Sequence, residues 1–302
     1  MAIFLVTGGC GFIGSHLCDA IVARGDRVRV IDDLSTGFVA NLPPGAEFLR
    51  GDVCDTALVD AATDGVDGVF HLAAIASVER GLREWAHTNR VNLGGTIAVL
   101  DAVRKRQPRA RVVYASSAAV YGECASLPIR ESADTRPVSA YGADKLGSEL
   151  HAHVATRVHG ISTVGLRFFN VYGPRQNPAS PYSGVISKWS DALRAGRPLR
   201  VFGDGRQTRD FIYVKDIARY NVLALQHDAG GVCNVGSGNS ITLLELIDAL
   251  EAAAGAQARR QFEPPAAGDI QASAMSPQRL NALFGAQTPT PLIEGLQALL
   301  LS

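Results

Sequence analysis

The sequence lacks an excess of charge, a paired set of cysteines, a metal-ligand cluster and a membrane-length apolar run. Its 302 residues carry 29 Lys+Arg against 29 Asp+Glu, a formal net charge of +0. A chain so balanced has no general electrostatic pull toward nucleic acid or an anionic membrane, so any anionic ligand must be held by local groups. The five cysteines (Cys10, Cys18, Cys54, Cys124 and Cys233) are scattered and odd in number. None forms a C-x-x-C pair and no Cys/His group has zinc-ligand spacing, so no metal is expected. A reduced cytoplasmic protein is the simplest expectation. The opening MAIFLVTGG is apolar, has no basic stretch and runs straight into a glycine turn, which makes it a buried first strand rather than a signal peptide. No apolar stretch is long enough to span a bilayer. Internal repeats and low-complexity tracts are also missing.

What is present suits a packed α/β enzyme. Hydrophobic residues make up 47% of the chain and charged residues 19%, ample for a large core. Short apolar runs at 3–6, 27–31, 47–50, 68–72, 111–115 and 162–167 read as strands. Helical patterns lie at 12–23, 85–106 and 139–158. Strands alternating with helices imply a parallel, doubly wound sheet with right-handed crossovers, the Rossmann arrangement. After about Asn170 the pattern changes. Residues 171–183 are rich in Pro, Gly and Ser and read as loop, and helices are expected near 185–195 and 243–254. The expected organisation is a cofactor-binding domain over 1–170, with segments near 210–240 returning to it, and a smaller α/β substrate domain over 171–302.

Directly after the first strand comes Thr7-Gly8-Gly9-Cys10-Gly11-Phe12-Ile13-Gly14. Glycines allow the backbone to turn sharply and approach a pyrophosphate, to which the following helix presents its N-terminal N–H groups. A glycine pattern alone could be a plain tight turn. Here it sits between a strand and a helix, and the next strand ends in Asp32-Asp33, near the separation expected of a ribose-binding acid. A carboxylate at Asp32 would accept from a ribose 2′-hydroxyl and repel a 2′-phosphate, which favours NAD over NADP. Asp52-Val53 could meet the adenine, and Leu72-Ala73-Ala74 would let the cofactor lie close to the backbone. Ordinary strand-end packing would account for either segment alone.

Tyr141 and Lys145 are four residues apart in a helical pattern and so share a face. A free phenol, with pKa near ~10, is a poor base at neutral pH. A neighbouring ammonium favours the phenolate, as does the positive charge of a nicotinamide. Tyr/Lys pairs at this spacing also occur as surface pairs. Ser116-Ser117, placed directly after a strand, adds hydroxyls where a doubly wound sheet opens its ligand crevice, able to bond both the substrate oxygen and the tyrosine.

With TGGCGFIGSH, HLAA, YASSAAVYG, YGADK, LRFFNVYGPRQ and GDGRQTRDFIYVKD, the sequence resembles the extended short-chain dehydrogenase/reductases over essentially its whole length. Within them it is most similar to the UDP-glucose 4-epimerase branch. The resemblance implies that Ser117, Tyr141 and Lys145 are catalytic. It implies that Asn92, Phe169, Tyr141 and Lys145 meet NAD beside Gly8, Gly11, Phe12, Ile13 and Gly14, and beside Asp32, Asp33, Asp52, Val53, Leu72, Ala73 and Ala74. Substrate would be met by Ser77, Ser116, Ser117, Asn170, Arg209, Asp269 and Ser273. Asn170 and Arg209 would hold the diphosphate of a UDP-sugar, and a guanidinium can grip two phosphate oxygens at once. A homodimer is implied as well.

The implied reaction is an NAD-dependent 4-epimerisation through a transient 4-keto sugar. Dehydratases of the same family carry an acidic pair after the strand-end hydroxyl, where this chain has Ala118-Ala119. Uronate epimerases place Thr and Arg where this chain has Asn170 and Asn177. The small Ser273, four residues beyond Gly268-Asp269, leaves room for N-acetylated sugars in the family pattern, where a tyrosine excludes them. The pattern also places an arginine on the diphosphate where this chain has Ala266. Other nucleotide-sugar chemistry on this scaffold (dehydration, decarboxylation, reduction) and a non-catalytic NAD-binding regulator are the competing readings. Trp85, Trp189 and His71 are expected to serve packing or structure, and the apolar stretch 292–300 is expected to form a helix docked on the body.

Overall fold

A computed structural model describes residues 1–76, 78–124, 126–177, 184–228, 230–265 and 270–302. The first half of the chain runs β1 (Ile3–Thr7), α1 (Phe12–Ala23), β2 (Arg27–Asp32), β3 (Glu47–Arg50), α2 (Thr56–Thr63), β4 (Gly68–His71), α3 (Val78–Arg83), α4 (Trp85–Asn89), α5 (Gly95–Arg106), β5 (Arg111–Ser117), α6 (Ala140–His159) and β6 (Thr163–Phe168). It continues with β7 (Asn170–Tyr172), α7 (Val185–Arg194), β8 (Leu199–Phe202), β9 (Thr208–Tyr213), α8 (Val214–Gln226), β10 (Gly231–Val235), β11 (Ser240–Thr242), α9 (Leu243–Ala254), β12 (Arg260–Glu263), α10 (Gln278–Phe284) and α11 (Leu292–Leu300).

Among the described residues, seven strands form one sheet in the order β10-β6-β5-β4-β1-β2-β3, and every pairing in it is parallel. The strands are apolar on both faces, as a sheet covered by helices on both sides requires. Phe4 and Val6 of β1 enter one core with Leu17, Ile21, Ile217 and Tyr220 of α1 and α8. Leu5 between them enters the other, with Val59, Val99, Val103 and Ala152 of α2, α5 and α6. The period-2 alternation of side chains splits one short run between two cores. The strand order reverses between β1 and β4, which opens a crevice at their C-terminal ends.

The second half builds a smaller body on a third core that contains Trp189, Leu199, Val201, Phe211, Leu246 and Leu296. Its strands form a β11-β9-β7 sheet and a β12-β8 pair. Helix α9 begins with a capping box: Thr242 Oγ1 accepts from Glu245 N–H at 3.1 Å, and Glu245 Oε2 accepts from Thr242 N–H at 2.7 Å. Gly255, in the left-handed region at φ 63°, ends it.

The differences from the sequence reading have local causes. The single helix expected over 85–106 is interrupted by a π-helical turn, Arg90–Gly94. The segment 171–183 was expected as loop, but its first residues belong to β7, which pairs with β9, a partner distant in sequence. Trp85 was expected to pack and is instead 68% exposed, while Thr88 faces inward from the same short helix. Trp189 is buried, its Nε1 donating to Arg200 O at 2.9 Å.

Helix α1 lies hard against the turn that precedes it: a Cβ at Gly14 would sit 2.1 Å from Gly8 O. A methyl there forces the helix off the sheet, at a cost of about 1–3 kcal/mol. Gly14→Ala is expected to melt several degrees below the parent protein in thermal unfolding. An unchanged melting temperature would contradict the contact.

Candidate active site

The turn between β1 and α1 is held by its own backbone. Gly8 N–H donates to Ile31 O at 2.8 Å, and Gly11 N–H donates to Gly8 O at 3.1 Å. Gly8 has φ 74°, and a Cβ on it would meet Ala73 N at 2.8 Å, so the segment after β4 closes directly on the turn. At the end of β2, Asp32 Oδ2 accepts from Cys10 N–H at 2.9 Å and Oδ1 from Leu34 N–H at 2.8 Å. Burial pushes this carboxyl above its ordinary value, and the two N–H groups pull it back. Each oxygen keeps a lone pair for a hydroxyl donor.

A cleft of about 260 Å³ follows this edge of the sheet. Its lining brings together the predicted Gly8, Gly11, Phe12, Ile13, Gly14, Asp32, Asp33, Asp52, Val53, Leu72, Ala73 and Ala74, with Ala115, Phe168, Arg80 and His87. Asn92 stands behind that wall. Its Oδ1 accepts from Ile75 N–H at 2.8 Å and its Nδ2 donates to Ile75 O at 3.2 Å, so it fixes the lining segment from within. Phe168 and Phe169 are both buried in the first core; the cleft lining includes Phe168, and Phe169 N–H donates to Val235 O.

Ser117 ends β5, and its Oγ accepts from Ala119 N–H at 3.2 Å. Its hydroxyl lies beside the phenol of Tyr141, which is half-buried in the first turn of α6, and favours the phenolate. Ser139 caps that helix by accepting from Gly142 N–H at 3.1 Å. Lys145, one turn on, is 4% exposed. Its Nζ donates to Ala115 O at 2.8 Å and lies 5.8 Å from the centroid of the Tyr141 ring. Because Ala115 also lines the cleft, the lysine sits against the cleft wall. Burial pulls its ammonium down to about 8, with Asp144 and Glu149 opposing. Burial also pushes the Tyr141 phenol up, and the neighbouring Ser117 hydroxyl opposes it. Ser116 does not join this group. Its side chain faces α6, is 1% exposed and donates to Glu149 Oε1 at 2.5 Å, which corrects its expected role at substrate. His71 is also internal: Nδ1 pairs with Thr7 Oγ1 and Nε2 with Thr96 Oγ1, and burial holds its pKa down to about 3.

A second cavity, of about 300 Å³, contains Asn170 and Arg209 in its lining. Asn170 Nδ2 donates to Asp210 O at 2.9 Å, and Arg209 Nη1 donates to Thr208 O at 2.8 Å. Ser273 is 9% exposed, and its N–H donates to Thr208 O at 3.1 Å, which stitches it beside Arg209. Ser77, Ala266 and Asp269 lie outside the described residues. The sequence reading missed Gln176, Arg200, Phe202 and Gln207 on this cavity's wall, and took Trp189 for packing alone. The available signal was the alternation in β8, where Leu199 and Val201 are buried and Arg200 and Phe202 face out.

The model of the NAD dependent epimerase/dehydratase family matches residues 4–236. The chain belongs to this family. It is 35% identical over 299 residues to the UDP-glucose 4-epimerase of Mycolicibacterium smegmatis, covering 97% of this chain and 95% of that protein. Its fold superposes at a TM-score of 0.94 on the UDP-N-acetylglucosamine 4-epimerase from Methanobrevibacter ruminantium in complex with UDP-N-acetylmuramic acid, with 34% identity and coverage of 99% and 97%. It superposes at 0.91 on the UDP-glucose 4-epimerase of Thermus thermophilus in complex with NAD, with 36% identity and the same coverage. The chain is therefore an NAD-dependent epimerase of the extended short-chain dehydrogenase/reductases, in their UDP-glucose 4-epimerase branch. The first cleft fits NAD on its own chemistry: a glycine cradle that a Cβ would fill, the N-terminus of α1 for the diphosphate, and an acid for the ribose hydroxyls.

Lys145 titrates lower in the folded epimerase than in the unfolded chain, at about 8 against 10.5. Below pH 8 both states are charged and the cost of burying the ammonium is fully present. Between 8 and 10.5 only the unfolded chain holds the proton, so this contribution to stability improves with pH. Lys145→Met, stripped of NAD, is expected to gain melting temperature relative to the parent protein at pH 7, and to lose that advantage toward pH 10. A difference that stays constant with pH would contradict the buried charge.

Proposed function

We propose that this epimerase inverts C4 of a UDP-hexose through a transient 4-keto sugar, acting on UDP-glucose and UDP-galactose and also on UDP-N-acetylglucosamine and UDP-N-acetylgalactosamine. The observation that carries the reading is the single acid/base set: one phenol beside the Ser117 hydroxyl, with Lys145 under its ring and Ala118-Ala119 where a dehydrating enzyme needs acids. Epimerisation needs no more than that. Tyr141 takes the proton of the 4-hydroxyl and returns it to the inverted alcohol, Ser117 bonds the reacting oxygen, and Lys145 favours the phenolate. When bound, NAD supplies the hydride acceptance and return that oxidation and reduction at C4 require. Arg209 and Asn170 hold the UDP diphosphate, which leaves the hexose free to turn over.

The names of the relatives support UDP as the nucleotide, and Ser273 supports the larger sugars by its small volume. The division of labour follows: residues 1–170, with β10 in their sheet, hold NAD, and residues 171–302 mainly hold substrate. The same reading makes the protein a homodimer. Exposed Ile97 of α5 and Leu150, Val154 and Val158 of α6, the last three four residues apart, supply an apolar face for a second copy. The five free cysteines support a cytoplasmic setting.

Purified protein given the four sugars without added cofactor is expected to interconvert them at C4. A 4-keto product or net NADH change would point to another reaction of the family, and no turnover with NAD retained would point to a regulator. Tyr141→Phe is expected to lower kcat by about 10²–10⁴-fold with NAD retained. Ser273→Tyr is expected to lose the N-acetylated substrates and keep the plain hexoses; equal loss of both would remove Ser273 from the specificity argument.

A further inference from the structure

A cluster of buried charge lies beneath α6, outside the lining of both cavities. Glu149 and Arg167 expose 7% and 5% of their side chains. They meet through two parallel bonds, Arg167 Nη2 to Glu149 Oε2 at 2.6 Å and Nε to Oε1 at 2.8 Å. Ser116 Oγ donates to the same Oε1. Arg167 Nη1 donates to the Tyr121 hydroxyl at 2.7 Å, and that hydroxyl donates to Asn234 Oδ1 at 2.6 Å. The guanidinium also lies 4.7 Å from the Tyr121 ring centroid. Four elements are therefore joined through one ion pair: α6, β5, β6 and β10.

Stability alone is a weak reason for such a pair, since apolar residues of equal volume often serve as well. Its placement supplies a better one. Tyr141, Lys145 and Glu149 follow one another at four-residue steps along one face of α6. Ser116 immediately precedes Ser117, and Tyr121 closes the 3-10 turn Ala118–Val120 that begins at Ser117. The pair thus grips the Ser117 segment on both sides and ties it to the helix that carries the phenol and the lysine.

We propose that Glu149 and Arg167 are positioning residues that set the distance between the Ser117 hydroxyl, the Tyr141 phenol and the Lys145 ammonium. The inference rests on the acid/base reading of Tyr141. It also has an electrostatic signature. Lys145 is faced by Asp144 and Glu149, by neutral His71, by the Tyr141 ring and by Ala115 O. Removing the Glu149 charge leaves Arg167 unbalanced, so Lys145 loses its proton at lower pH. Removing the Arg167 charge leaves Glu149 unbalanced, so Lys145 keeps its proton to higher pH.

The test uses the full-length, NAD-loaded protein with Glu149→Gln, Arg167→Met, Arg167→Lys and the double variant Glu149→Met/Arg167→Met. The expected result is a kcat lower by roughly ten- to a hundred-fold, with KM and retained NAD changed less than about three-fold. The alkaline limb of the kcat profile should move down in pH for Glu149→Gln and up for Arg167→Met. Ultraviolet titration of the Tyr141 phenolate, with Tyr141→Phe as the blank, should show the single variants shifted from wild type without any substrate. The double variant should melt like the wild type yet remain slow; Arg167→Lys should recover the limb more than the rate. Variants that melt normally and keep kcat within two-fold, or limbs that move together or not at all, would overturn the inference. Should a single variant fail to fold, the double variant and Arg167→Lys decide it on the same readouts. Should the wild type turn over no UDP-hexose, the proposed function falls while the phenolate titration still decides this inference.

Discussion

The hydrogen bond from Lys145 Nζ to Ala115 O is the contact on which the site depends. It takes an ammonium out of water, which is costly for a charge, and gives it one carbonyl and the face of one ring in return. The cost is visible in the lowered pKa of the lysine. In exchange, α6 is pinned to β5 at the height of the cofactor cleft, with Tyr141 one turn above. An exposed lysine at the same spacing would be hydrated and screened, and its influence on a phenol would be slight.

The rest of the molecule surrounds that contact with local rather than global electrostatics. The chain is neutral overall, yet its family handles an anionic cofactor. The N–H groups of the glycine turn and the N-terminus of α1 fit that need at one place, without a net positive charge on the chain. Asp32 works in the same economical way. Two backbone N–H groups keep its buried carboxyl oriented and leave lone pairs for a ribose. In the second cavity Arg209 is braced by Thr208 O, and Asn170 by Asp210 O. Asp210 is itself buried and accepts from Ser237 and Gly238.

How much could be read in advance followed the range of the interactions. The glycine turn was legible because its requirements are local: a positive φ at Gly8, a close approach at Gly14 and a strand on one side with a helix on the other. The Tyr141/Lys145 pair was legible because helical spacing alone puts both on one face. Ser116 and Ser117 were not separable, since sequence places both at a strand end and only the tertiary packing says that Ser116 meets buried Glu149 while Ser117 lies beside Tyr141. Phe168 and Phe169 posed the same one-residue ambiguity. Trp85 defied the usual burial of tryptophan because α4 turns Thr88 inward and leaves Trp85 outward, which the packing of the helix and not the residue type decides. The segments near 210–240 were expected to return to the first domain without being resolved into helix α8 and strand β10; β10 extends the main sheet beside β6.

By itself the sequence determined the alternating α/β layout, the glycine turn after the first strand and the shared helix face of Tyr141 and Lys145, because each depends on residues within a turn or two of one another. Tertiary structure alone decided which of two adjacent side chains meets the cleft, how Ala115 and Lys145 meet across thirty residues, and that Glu149 and Arg167 close a buried pair behind them. Those outcomes turn on strand register and helix packing, where a slip of one residue exchanges the two faces of a strand.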